Sequence, residues 1–149
     1  MDNQYIAIVN GRNLSISTKH SIEICNFIRN KSLFRAKKQL NLVLENKLAI
    51  PLKKFHKDRG HRKGKIGPGF FPQKATKEII SLLNSLEANA QNKGLNTDSL
   101  YIKEIIANKA SRPLHTGRKQ RQLMKRTHIK IIGMEKQETE KIQEKEKKK

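Results

Sequence analysis

YIKEIIAN (residues 101–108) and HIKIIGM (residues 128–134) are two runs rich in β-branched and aromatic residues, the composition of strands. Between them stand Lys109, Arg112, Arg118, Lys119, Arg121, Lys125 and Arg126, with Lys130 just inside the second run. No acidic side chain occurs between Glu104 and Glu135. Antiparallel pairing of the two runs is predicted, and it turns the residues from about 109 to 127 into a long hairpin arm. An arm of this composition buries too little apolar surface to hold itself in place. It needs an external partner, and its charge says that the partner is a polyanion.

The whole chain repeats that message. Its 149 residues hold 33 Lys and Arg against 13 Asp and Glu, a formal net charge of +20, with an isoelectric point near 10.3. Self-repulsion of this size weakens a compact state unless a polyanion such as nucleic acid neutralises it. A hydrophobic content of 35% and a mean hydropathy of −0.76 leave room for one small core, as the length also suggests. The single Cys25 excludes an internal disulfide and disfavours a thiolate metal site. The N-terminal MDNQYIAIVNGRN has an acid at its second position and only a short apolar run, far below the roughly 20 residues of a membrane span. A cytoplasmic protein with no membrane insertion is expected.

Residues 6–9 read as a strand ended by a turn at Asn10 and Gly11. Ser17 or Thr18 can cap a helix carrying Ile22, Ile24, Cys25, Phe27 and Ile28. Ser32 can cap a second, with Leu33, Ala36, Leu40, Val43 and Leu44 on one face, and this helix should end before Ile50, which precedes Pro51. Residues 52–71 interleave Lys and Arg with Gly60, Gly64, Gly67, Pro68 and Gly69, and hold one acid, Asp58. They read as a basic loop. Pro72 then opens a third helix whose stripe of Ala75, Ile79, Leu82, Leu83, Leu86 and Ala90 ends near Gly94. Burying Ile79, Leu82, Leu83 and Leu86 contributes on the order of 1.5–3 kcal/mol each, before ordering entropy. Residues 136–149, almost all Glu, Gln and Lys, read as a charged, disordered tail.

The predicted fold is α+β. A small three-stranded antiparallel sheet is covered by about three helices and carries the long β-hairpin arm at 108–127. Residues 1–135 form one globular domain that includes the basic loop 52–71.

No G-x-S-x-G, H-E-x-x-H or G-x-x-x-x-G-K-[ST] pattern is present, so enzyme signatures are missing, and no cofactor is expected. His56 and His61 have only Asp58 as a neighbouring acid, too few partners for a metal or an acid–base pair. Cys25, on an apolar helical face, reads as a core residue. The positions that carry chemistry are Lys53, Lys54, Lys57, Arg59, His61, Arg62, Lys63 and Lys65 in the loop, with Lys109, Arg112, Arg118, Lys119, Arg121, Lys125 and Arg126 in the arm. Arg grips phosphate oxygens with a planar fork and Lys with a mobile point charge. Exposed helices usually balance their signs, and the arm does not. Lys37, Lys38 and Lys77 read equally well as solvated surface. The arm holds no aromatic residue, which argues against a single-strand stacking platform. Recognition through phosphate, 2′-hydroxyl and shape is expected instead.

Four segments of the chain resemble the universal large-subunit ribosomal protein twenty-two family, in its archaeal form, which eukaryotes number seventeen. They are residues 28–40 (IRNKSLFRAKKQL), 49–79 (AIPLKKFHKDRGHRKGKIGPGFFPQKATKEI), 86–110 (LEANAQNKGLNTDSLYIKEIIANKA) and 126–131 (RTHIKI). GHRKG at residues 60–64 together with EANA and KGL within residues 87–95 is similar to the archaeal branch. The resemblance implies a ribosomal RNA-binding protein that joins the large subunit early in assembly. Its globular part would lie on the outer surface of the large subunit near the peptide exit, with neighbouring ribosomal proteins as partners. Its hairpin would line the tunnel taken by the nascent polypeptide, with Leu114, His115, Thr116, Gly117, Arg118, Lys119, Gln120 and Arg121 at the tip. The arm is somewhat shorter than is usual in the family, and its PLHTGR stretch matches at Gly117 and Arg118.

The leading reading is thus a structural ribosomal constituent, the runner-up is a non-ribosomal nucleic-acid-binding chaperone or architectural module, and an RNA-processing enzyme comes third. Retention on large subunits after a high-salt wash separates the first two. The enzyme would need a carboxylate or histidine cluster, and several of the 13 acids lie in the tail.

Overall fold

The computed structural model describes residues 5–64 and 66–136. Lys65 and all of the expected tail beyond Lys136 lie outside the described residues.

Strand β1 (Ile6–Leu14) leads into helices α1 (Thr18–Ile28) and α2 (Leu33–Leu44). Two short strands follow, β2 (Ile50–Pro51) and β3 (Gly69–Phe70), then the long helix α3 (Gln73–Asn92) and strands β4 (Leu100–Lys109) and β5 (Thr127–Glu135). The main sheet has the order β1-β5-β4, antiparallel throughout. Helix α1 packs on β4 and α3 on β1, while α2 leans on α3. The α+β fold with its three-stranded sheet and three helices is as expected.

Local chemistry accounts for the helix ends. The Ser32 hydroxyl accepts from the Arg35 amide at 3.4 Å and opens α2. Pro72 stands at the start of α3, and Gly94, with φ 72°, takes the left-handed position that follows its end. The link from α1 to α2 is tied to the sheet, because the Asn30 amide donates to the Ile102 carbonyl at 3.0 Å and the Ile102 amide to that of Lys31 at 2.9 Å. Ile24, Ile28, Leu40, Ile79, Leu83, Leu86, Leu100, Ile102 and Ile105 fill one continuous core. Cys25 lies in it, where burial pushes its thiol up to about 12 and leaves it unreactive.

Two sequence expectations are corrected. The first strand does not turn at Asn10 and Gly11 but runs on to Leu14. Gly11 is needed for a close approach: a Cβ there would stand 2.8 Å from a methyl of Leu82 on α3. Gly133 on β5 meets Leu86 in the same way, at 3.1 Å, so two glycines let α3 settle onto the sheet. Leu82 itself is only half-buried, over Gly11, whereas Leu83 is fully enclosed. Leu82→Ala is therefore expected to cost about 1–2 kcal/mol in urea denaturation, below the roughly 2–5 kcal/mol of an enclosed leucine. A loss equal to that of Leu83→Ala would contradict this packing.

The basic loop is also more firmly held than its composition suggested. β2 and β3 pair antiparallel across its base, Ile50 with Phe70 and Pro51 with Gly69. The Leu52 amide adds a bond to the Pro68 carbonyl at 2.9 Å. The β4–β5 ladder ends at Lys109 opposite Thr127. Beyond it, the excursion is held by scattered bonds and one isolated bridge, Leu114 with Leu123.

Candidate nucleic-acid interface

At the root of the basic loop lies a carboxylate that sequence reading did not single out. Glu23 sits on α1 beside an otherwise apolar face and is 2% exposed. Its two oxygens accept the backbone amides of Lys53 (3.2 Å), Lys54 (2.7 Å) and Phe55 (2.8 Å). Consecutive amides turned onto one anion form a nest, and here the anion belongs to the protein. The arrangement fixes the direction in which the lysines leave the body. A lone acid in a region of basic residues is the one signal that could have found it, since the donors lie some thirty positions away.

From that root the loop presents its charge outward. Lys53, Lys54, Lys57, Arg59, His61, Arg62 and Lys63 are all exposed. The His61–Pro68 bridge and the Arg62 amide's bond to the Gly67 carbonyl, 2.9 Å, fold the loop back on itself. Aromatic rings lie under several cations: Arg59 is 4.5 Å from the centre of Phe70, Arg62 is 5.4 Å from Phe71, and Lys19 and Lys54 approach Phe55 at 5.7 and 5.8 Å. Stacking on an aromatic face holds a guanidinium in position while leaving N–H groups free to donate.

The arm's cations divide into two groups. Lys109, Arg118, Lys119, Arg121 and Lys125 are exposed, with Arg118 and Lys119 in a short 3-10 turn, Gly117–Lys119. Arg112 and Arg126 are half-buried and turn partly inward: Arg112 Nε donates to the Met124 carbonyl at 3.3 Å, and Arg126 reaches the Asn13 carbonyl at 3.5 Å. Of the other residues expected at the tip, His115 is half-buried, while Leu114, Thr116, Gly117 and Gln120 are exposed. The arm is joined to the body at Thr127, whose buried hydroxyl donates to the Ile16 carbonyl at 3.0 Å and lies 2.9 Å from the Thr18 hydroxyl.

Loop and arm root meet around His20. Its ring tilts against Phe70 with centroids 4.8 Å apart. Burial, then the charges of Arg59 and Lys125, hold its pKa below the usual imidazole value of 6.5, so the ring is neutral at physiological pH. Beside it opens a cleft of about 320 Å³ lined by His20, Phe70, Phe71, Pro72, Lys74 and Lys125, among others. Lys74 is a further cation that the sequence did not bring forward.

Among the described residues, ion pairs join Lys37 to Glu87 at 2.6 Å and Lys47 to Glu45 at 2.7 Å, and none involves a cation of the loop or arm. The charge on α2 is thus partly spent inside the protein, while that of the two excursions stays available. Among the described residues, no helix is long and apolar enough to cross a membrane.

Residues 9–134 match the model of the family Ribosomal protein L22p/L17e. Over 129 residues the chain is 44% identical to the large ribosomal subunit protein uL22 of Methanococcus vannielii, an overlap covering 82% of this chain and 84% of that one. Over 137 residues it is 40% identical to uL22 of Nanoarchaeum equitans, covering 87% and 79%. A basic loop and a basic excursion on one small α+β body, matched in sequence over nearly the whole described length, place this chain in the ribosomal protein L22p/L17e family.

Proposed function

We propose that this chain is a structural constituent of the large ribosomal subunit in the cytoplasm, binding ribosomal RNA through the loop 52–71 and the arm 108–127. The observation that carries the reading is the set of unpaired cations: loop and arm converge at His20, and among the described residues no side-chain cation of either is ion-paired with a carboxylate. Its role is positional rather than catalytic. Phosphate contacts from Arg and Lys fix a register on folded RNA without transforming it.

The globular body outside the arm folds first and offers a pre-shaped loop. The arm completes its order on RNA, with counterion release supplying much of the free energy. Neighbouring large-subunit proteins are the partners of the body. The tip, residues 114–121, lines the tunnel and faces the nascent polypeptide. These assignments follow the resemblance described above.

Filter binding of the full chain to deproteinised large-subunit rRNA over a salt series tests the reading. With about ten phosphates neutralised, the log–log slope is expected near −7 to −9. Salt-insensitive binding, or a chain washed off purified large subunits by moderate salt, would refute it. The second outcome would favour the chaperone alternative.

A further inference from the structure

The cleft beside His20 is built differently from the rest of the basic surface. Its lining includes three planar groups, the imidazole of His20, the ring of Phe70 and the neighbouring ring of Phe71, beside Ile16, Pro72 and small or polar residues. The Arg59 guanidinium lies over Phe70 at 4.5 Å, and Lys74 and Lys125 stand at the lining. We propose that this cleft receives one unstacked base of the bound RNA, an inference that rests on the RNA-binding reading above.

Size, shape and charge agree on that occupant. A volume of about 320 Å³ is at the small end of ligand pockets, which run from about 300 to 1,000 Å³. It suits a single base better than a larger ligand. Bases splayed from a folded RNA stack on aromatic side chains or on guanidinium planes, and this cleft is lined by two phenyl rings, with the Arg59 guanidinium stacked on one of them. The phosphates that flank a splayed base must be met by cations, and Arg59 comes to them from the loop and Lys125 from the arm root. Two other hollows each lack one of these parts. A cleft of about 470 Å³ across β1, β5 and β4, lined by Asn10, Arg12, Asn108, His128 and Lys130 among others, has no Phe or Tyr wall. A smaller one of about 140 Å³ contains the Glu23 carboxylate, which repels phosphate.

The assignment also gives the half-buried His20 a purpose. A neutral imidazole stacks without adding a third positive charge beside Arg59 and Lys125. A base seated against it joins the two basic excursions into one footprint.

The test uses the full chain and deproteinised large-subunit rRNA from Methanococcus vannielii. Phe70→Leu keeps apolar bulk and removes the aromatic face. Its Kd is expected to rise about tenfold, with the salt slope unchanged because no cation is removed. Arg59→Gln should instead make the slope shallower by about 0.7–0.9. Ultraviolet cross-linking of the unaltered complex, read by mass spectrometry, should attach a nucleotide to His20 or to residues 70–71. Wild-type affinity in a Phe70→Leu variant that melts like the parent, or no cross-link at these residues, overturns the proposal while leaving RNA binding intact. Failure of the unaltered chain to bind the rRNA at all would instead remove the functional reading beneath it.

Discussion

Glu23→Ala is expected to lower the stability of the free protein by about 2–4 kcal/mol and to loosen the whole base of the basic loop. Three backbone amides lose a charged acceptor at once, and each such bond contributes about 1.5–3 kcal/mol. The sum is an upper bound, because the exposed Lys53 and Lys54 can turn their amides to water once the loop opens. Glu23→Gln should recover less than half of the loss. Its amide has one acceptor oxygen, and its NH2 group would face donors.

The effect on RNA binding has a distinctive sign. Removing an acid makes the chain more cationic, and long-range attraction alone would tighten binding by a few tenths of a kcal/mol, screened over about 8–10 Å at moderate salt. The loop, however, must now be ordered at the moment of binding, at roughly 1–2 kcal/mol per backbone residue fixed. Ordering wins, so affinity falls although positive charge has been gained, and the salt slope stays where it was. Hydrogen exchange is the direct check. The amides of residues 53–55 should exchange far faster in Glu23→Ala than in the parent, and unchanged protection there would show that the carboxylate does not hold the loop.

What the sequence made legible and what it hid differ by the range of the interaction involved. The β-branched flanks of the arm, the Ser32 cap and the α3 stripe are written within a few neighbouring residues, and the structure places them as expected. Gly11 misled because its reason, Leu82, lies on another element. Read locally, Asn-Gly means a turn, and only the packed helix shows it as a close approach. The same holds for Leu82, whose place in the apolar stripe cannot say that it lies at the edge and Leu83 at the centre. The two-residue strands β2 and β3 are too short to carry any period. The interface divides likewise. Its cations could be counted from the chain, but not Glu23's bond to the loop, the meeting of Arg59 and Lys125 at His20, or the inward turn of Arg112 and Arg126.

Replacing Arg118, Lys119 and Arg121 together by Ala is expected to weaken rRNA binding about 10²-fold at about 0.1 M salt and to make the log–log slope shallower by about 2–2.7, the share of three phosphates. The fold should hardly notice. No residue from 111 to 126 is buried, and α1, α2 and α3 contain none of the three positions. The bonds that shape the excursion are backbone ones: His115 to Gln122 at 2.9 Å, Met124 to Pro113 at 2.8 Å and Gln122 to Lys119 at 2.8 Å. Truncating side chains leaves these in place, so thermal stability should move by no more than the roughly 0.5 kcal/mol typical of surface changes. The control is Lys37→Ala. It also removes a positive charge, but one already paired with Glu87 at 2.6 Å, so its slope should match the parent's. If the triple variant lost helical circular dichroism, arm and body would not be separable. If its slope stayed at the parent's value, the exposed charges of the tip would not be what meets the phosphates. A shallower slope on an intact body is the outcome that an arm completing its order on RNA requires.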